Sequence, residues 1–244
     1  MVPIHICPSR DEVFQAGAEQ WIRLAEDAIA QRGRFHIALS GGSTPAGLFK
    51  LLVSPSYAER VEWGKVEIYW GDERCVPPED QRSNYRMAVQ DLLSHVPLPE
   101  SNIHRMRGEL PPAQAADEYD ALLRKQSATT ADGVFRFDLV LLGMGDNGHT
   151  ASLFPNTDAL QATDRLVVAN WVAEVDMWRL TLTANCINAA RNVTFLVTGA
   201  EKAAMLKRVL TGPHIPNELP AQLIRPKTGA LEWIVDAAAA EELS

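Results

Sequence analysis

His149 closes the run Gly143-Met144-Gly145-Asp146-Asn147-Gly148-His149, and neutral imidazole accepts a proton near pH 7, so this residue is the candidate base for activating a water. The other histidines, His5, His36, His95, His104 and His214, stand in contexts that a surface or packing role explains. Gly71-Asp72-Glu73-Arg74 sets two carboxylates beside a guanidinium. Arginine holds a phosphate or a developing oxyanion, and an aspartate orients a base or a hydroxyl, so Asp72 and Arg74 join His149 as catalytic candidates. In Ser40-Gly41-Gly42-Ser43-Thr44-Pro45 the glycines permit unusual backbone angles, the hydroxyls donate, and Pro45 suits the first position of a helix. Free N–H groups at such a helix start bind phosphate without a charged side chain, which makes Gly42, Ser43 and Thr44 candidate substrate contacts. Lys202 heads a helix after Gly199, where a cation opposes the local dipole and an anionic ligand would offset the repulsion. Arg179, in Trp178-Arg179-Leu180-Thr181-Leu182-Thr183, is a further isolated cation.

Two familiar glycine motifs fail on detail. Leu48 follows Gly47 where the Walker pattern requires lysine. Gly143 to Gly148 matches GxGxxG, but Pro155 follows too soon for the long helix that a dinucleotide site needs.

These turns need strands to aim them. Val2–Cys7, 35–39, 66–70, 137–142 and 193–197 are short apolar runs with helical segments between them. The first is followed by Ser9 and Glu12 in capping-box spacing, ahead of Phe14, Ala18, Trp21, Ala25 and Ile29 at helical intervals. Runs that are apolar throughout belong to strands covered on both faces, so the fold class is α/β: a doubly wound, mainly parallel open sheet with helices on both faces. In such sheets ligands bind outside the carboxyl ends of the strands, where these turns lie. The alanine-rich end, from Asp236, reads as a terminal helix because alanine has the highest helix propensity. No proline-rich piece is long enough to be a linker, so residues 1–244 are expected to form a single domain.

The charge balance, 23 basic against 31 acidic residues for a net −8, with the cations scattered, excludes the footprint of a nucleic-acid binder. Cys7, Cys75 and Cys186 lie far apart without CxxC spacing, which argues against a disulfide framework and a zinc site. No metal is expected. The N-terminus lacks the pattern of a secretory signal, and no apolar run approaches the ~18 residues of a membrane span, so no membrane partner is expected and the location is read as cytoplasmic.

Together Ala38–Pro45, Trp70–Pro77 with Arg82–Tyr85, Gly143–Pro155, Arg179–Thr183 and Thr198–Ala203 resemble, in order, the motifs of the 6-phosphogluconolactonase family, relatives of the glucosamine-6-phosphate isomerases and deaminases. The resemblance implies hydrolysis of 6-phospho-D-glucono-1,5-lactone to 6-phosphogluconate without an organic cofactor. It makes His149 the general base with Asp72 and Arg74 beside it, and gives the substrate phosphate to Ser43, Thr44, Arg179 and Lys202. Family members often carry Asp immediately before the Gly-His pair, where this chain has Asn147. An amide oxygen there orients the imidazole without raising its base strength. The deaminase branch continues from its Gly-His to Asn-Glu-Pro, whereas this chain reads Thr-Ala-Ser-Leu-Phe-Pro after His149. A sugar-phosphate sensor would carry a DNA-binding extension, and no basic helix-turn-helix precedes the first strand.

Overall fold

A computed structural model describes residues 2–127 and 134–243. The capping box forms as the spacing predicts. Ser9 accepts from the Glu12 N–H and Glu12 accepts from the Ser9 N–H at 3.0 Å, starting α1 (Arg10–Arg32), which buries Ala18, Trp21, Ala25 and Ile29. The strands are β1 (Ile4–Cys7), β2 (Phe35–Leu39), β3 (Val66–Trp70), β4 (Asp72–Arg74), β5 (Leu139–Leu142), β6 (Val167–Val172), β7 (Met177–Leu182), β8 (Asn192–Val197) and β9 (Ala230–Asp236). The other helices are α2 (Ser43–Leu52), α3 (Pro55–Ala58), α4 (Asn84–Asp91), α5 (Pro112–Ser127), α6 (Ala184–Asn188) and α7 (Ala203–Thr211).

Six strands form one sheet in the order β1-β9-β8-β5-β2-β3, every pair parallel. All residues of β3 and β5 are buried, so both faces of the sheet are covered, as their continuous apolar sequence requires. From β2 the chain steps outward to β3 at the edge, then returns to β5 on the other side of β2. The order reverses between β2 and β5, and the turns leaving their carboxyl ends are the Ser40–Pro45 and Gly143–His149 segments. This is the topological switch point where open α/β sheets hold ligands.

A second sheet, absent from the sequence reading except for the Arg179 run, is antiparallel in the order β4-β7-β6. It is stitched to the first through Gly71, whose N–H donates to the Leu39 carbonyl while its own carbonyl accepts from the Leu182 N–H, both at 2.8 Å. Val167, Leu180 and Leu182 of this small sheet join the same hydrophobic cluster as Leu39, Trp70 and Leu141 of the large one. That shared core holds the two sheets in fixed register.

The expected terminal helix is not formed. Asp236 ends β9 instead, the following residues turn, and only Glu241–Leu243 make a short 3-10 helix. The Asp236 carboxylate accepts from the Ala239 N–H at 2.8 Å and from the Gly199 N–H at 3.1 Å, and Ala239 is fully buried. Side-chain bonding to the backbone and burial thus override alanine's helix propensity. No described helix is long and apolar enough to cross a membrane.

Candidate active site

A cleft of about 330 Å³ opens at the switch point, walled by the turn after β2, Asp72 and Arg74 of β4, the turn after β5 with His149, and Arg179 of β7. The sequence candidates His149, Asp72, Arg74, Arg179 and Gly42 therefore line one cavity. Ser43, Thr44 and Lys202 line an adjoining hollow, which shares Gly41, Gly42, Gly143 and Met144 with the first.

His149 is held on three sides. Its ring stacks on Phe154, with centroids 3.9 Å apart and planes 16° from parallel. Gly145 passes beneath it so closely that a Cβ there would lie 2.1 Å from the ring, so only glycine fits. Nδ1 lies 2.6 Å from Asn147 Oδ1, which also accepts from the His149 backbone N–H at 3.1 Å. The amide nitrogen of Asn147 donates to Glu174 Oε2 at 2.7 Å. A backbone N–H can only donate and an ionised carboxylate can only accept, so the orientation of the Asn147 amide is settled and Nδ1 must carry the proton. Nε2 is thereby the free basic atom. Burial pushes the His149 pKa down to about 4, against the pull of Asp72 and Asp146 and with the push of Arg179 and Lys202. The ordinary value of 6.5, which the sequence alone suggests, does not apply.

The strand geometry of β4 divides the acid-rich turn by face. Glu73 is buried away from the cleft, where it accepts from the N–H groups of Arg74, Asn84 and Tyr85 and from Ser83 Oγ. It anchors the start of α4, and burial raises its pKa. Asp72 faces the cleft, with Oδ2 accepting from Ser152 Oγ at 2.7 Å and Oδ1 from Asn84 Nδ2 at 3.3 Å. Both oxygens are occupied, which fixes the charge in place.

Arg74 and Arg179 are direct cross-strand partners in the β4–β7 pair. Like charges placed opposite one another destabilise a sheet. Both Nε atoms are buried without a hydrogen-bond partner, and burial together with Arg74 lowers the pKa of Arg179. Two crowded, incompletely bonded guanidiniums at a cleft wall form a site that an anion would complete.

The second hollow is the start of α2. Gly42, at φ 105°, is its N-cap and offers no side-chain bond, so the first-turn N–H groups stay open. Pro45 occupies the third helical position rather than the first, still within the turn whose N–H groups have no intrahelical acceptor, so its missing donor costs nothing. Thr44 Oγ1 lies 2.8 Å from Thr198 Oγ1. Lys202 caps α7 and is not isolated: its Nζ is paired with the Asp146 carboxylate.

Sequence reasoning missed four supporting side chains. Asn84 and Ser152 lie inside the Arg82–Tyr85 and Gly143–Pro155 motifs, where their spacing carries no sign of Asp72. Asp236 reads in the sequence as the start of a helix. Glu174 stands in the turn between β6 and β7, where an acid reads as solvated. Among the described residues, no group of three or more His, Cys, Asp or Glu side chains is placed to hold a metal ion.

Residues 8–233 match the family model described as glucosamine-6-phosphate isomerases/6-phosphogluconolactonase. The chain belongs to that family. It is 43% identical to a 6-phosphogluconolactonase of Haemophilus influenzae over 84% of this chain and 85% of that one. With a 6-phosphogluconolactonase of a Nostoc species it shares 40% identity over 99% and 98% of the two chains. The solved 6-phosphogluconolactonase of Trypanosoma brucei superposes with a TM-score of 0.85 at 30% identity, covering 100% of this chain and 99% of that chain. The chain is an enzyme of the 6-phosphogluconolactonase type, built on the mainly parallel α/β fold that its apolar runs predict.

Proposed function

We propose that this enzyme hydrolyses 6-phospho-D-glucono-1,5-lactone to 6-phospho-D-gluconate, a step of the oxidative pentose phosphate pathway, with His149 as the general base. The observation that carries the reading is the fixed tautomer: Nδ1 donates to Asn147, so Nε2 meets the cleft as an unprotonated acceptor. Water attacks the lactone carbonyl carbon as Nε2 takes its proton. The ring C–O bond then breaks, and the imidazolium returns the proton to the departing ring oxygen. Asp72, pinned by Ser152 and Asn84, favours the transient imidazolium, in line with its pull on His149.

The phosphate lies where the two hollows meet. The open first turn of α2, with Gly42, Ser43, Thr44 and Lys202, faces it from one side and Arg179 from the other, a reading supported by the wall the hollows share. Arg74 supplies the second cation, beside the charge that develops on the carbonyl oxygen. No covalent nucleophile or organic cofactor is needed, because a lactone is already an activated ester. The test is the hydrolysis rate of purified protein on phosphorylated and unphosphorylated lactone, with the spontaneous rate subtracted. A strong preference for the phosphorylated substrate is expected. Catalysis that ignores the phosphate would overturn the reading.

A further inference from the structure

We infer that Glu174 is a positioning residue for His149, acting through the side chain of Asn147. The inference rests on the general-base reading above. Glu174 belongs to the turn between β6 and β7 and reaches across the cleft mouth, so the chain Glu174 Oε2, Asn147 Nδ2, Asn147 Oδ1, His149 Nδ1 links the small sheet to the turn that carries the base. An amide bridges two partners of opposite demand, donating at nitrogen and accepting at oxygen. A carboxylate on the nitrogen side does two things. It prevents the amide from rotating, which would present NH₂ to Nδ1 and drive the imidazole into the other tautomer, with the proton on Nε2. It also polarises the amide, making Oδ1 a stronger acceptor and favouring the imidazolium that forms when water is deprotonated.

The proton on Nδ1 and the charge on Glu174 both stay where they are throughout. The other charges that bear on His149 are Asp72 on β4, Arg179 on β7, Lys202 at the head of α7 and Asp146 on its own turn. Asp72 and Asp146 favour the imidazolium, while Arg179 and Lys202 oppose it. Glu174 is the acid joined to the ring by an unbroken hydrogen-bond path through Asn147. It is exposed to solvent, so its electrostatic part is screened and weakens as salt rises.

Glu174→Ala and Glu174→Gln separate the two effects. Glutamine can still accept from Asn147 but has no charge. The alanine variant is expected to lose about 5- to 10-fold in kcat with KM within twofold, and the glutamine variant about 2- to 3-fold, with the acid limb of kcat/KM moved to lower pH. The independent readout is ¹⁵N NMR of the His149 ring. The alanine variant should show a mixture of tautomers where the parent shows one, and the glutamine variant one tautomer with a lower pKa. An unchanged ring spectrum in both variants overturns the inference. A changed spectrum with unchanged kcat upholds the Glu174 link and overturns the general-base role of His149. Circular dichroism keeps a folding defect distinct from either outcome.

Discussion

The two sheets meet at the cleft but bring different chemistry to it. The parallel sheet contributes backbone: the open helix start after β2 and the glycine-rich turn after β5, whose close approach to His149 depends on having no side chain at Gly145. The antiparallel sheet contributes fixed charge, with Asp72, Arg74 and Arg179 on its strands and Glu174 on its turn. A backbone site is written locally in the sequence, as glycines and hydroxyls at a strand's end. A charge constellation is written across strand pairing, which no single segment reveals. Arg74 and Arg179 are far apart in the chain and become neighbours only through the β4–β7 register.

The largest expected effect tests the parallel sheet's contribution. His149→Ala should lower kcat by about 10²–10⁴ while the folded variant still binds product, because a positioned base contributes on that scale. A folded variant with near-normal kcat would remove the base from this sheet and make Asp72 the next candidate.

Arg179→Ala tests the other sheet. A charge-assisted bond is worth about 1.5–3 kcal/mol, so kcat/KM on the phosphorylated lactone should fall about 10- to 100-fold and change little on the unphosphorylated one. Arg74→Ala is expected to weaken both. Equal losses on both lactones for Arg179→Ala would show that it does not read phosphate, and the division between a backbone wall and a charged wall would need redrawing.

How much of this was legible follows the same division. The switch-point turns and His149 could be read because apolar runs and glycine turns are local signals, and the capping box at Ser9 was legible for the same reason. β4 has only three residues, and all of them are charged, so it carries no strand pattern; β9 was hidden beside an alanine run that suggested a helix. Asn147 was recognised as an orienting amide, but the carboxylate behind it comes from a distant turn and could not be. The buried state of the imidazole was equally invisible, and it changes the expected pH profile.

With His149 pushed down to about 4, kcat/KM on unphosphorylated lactone should hold nearly level down to pH 5. A histidine at 6.5 would already have lost roughly thirtyfold there, and using the unphosphorylated substrate removes the phosphate's own titration. On the phosphorylated lactone the acid limb of kcat should lie at higher pH than that of kcat/KM. The bound phosphate offsets Arg179 and Lys202, which both push the imidazole pKa down, so it stabilises the imidazolium. A free-enzyme limb near 6.5 would mean that the ring is solvated in solution.

The smallest effect concerns the place where the two walls touch. Lys202 is paired with Asp146, so part of its charge is already neutralised before substrate arrives. Asp146 is largely exposed while Lys202 is mostly covered, and a pair of unit charges near the surface is worth about 1 kcal/mol in water-like surroundings. Lys202→Ala should therefore weaken the phosphorylated lactone only about 3- to 5-fold, less than Arg179→Ala, because the removed cation was half-occupied by its neighbour. The sign of the partner substitution is the sharper check. Asp146→Asn releases Lys202 toward the phosphate and should lower KM about 2- to 3-fold at low salt, with the gain fading as ionic strength rises. It also removes a charge that favours protonated His149, so the acid limb should move slightly down in pH rather than up. A KM that rises in Asp146→Asn would mean that the carboxylate holds Lys202 in its binding position, and the pair would then belong to the cradle as a unit.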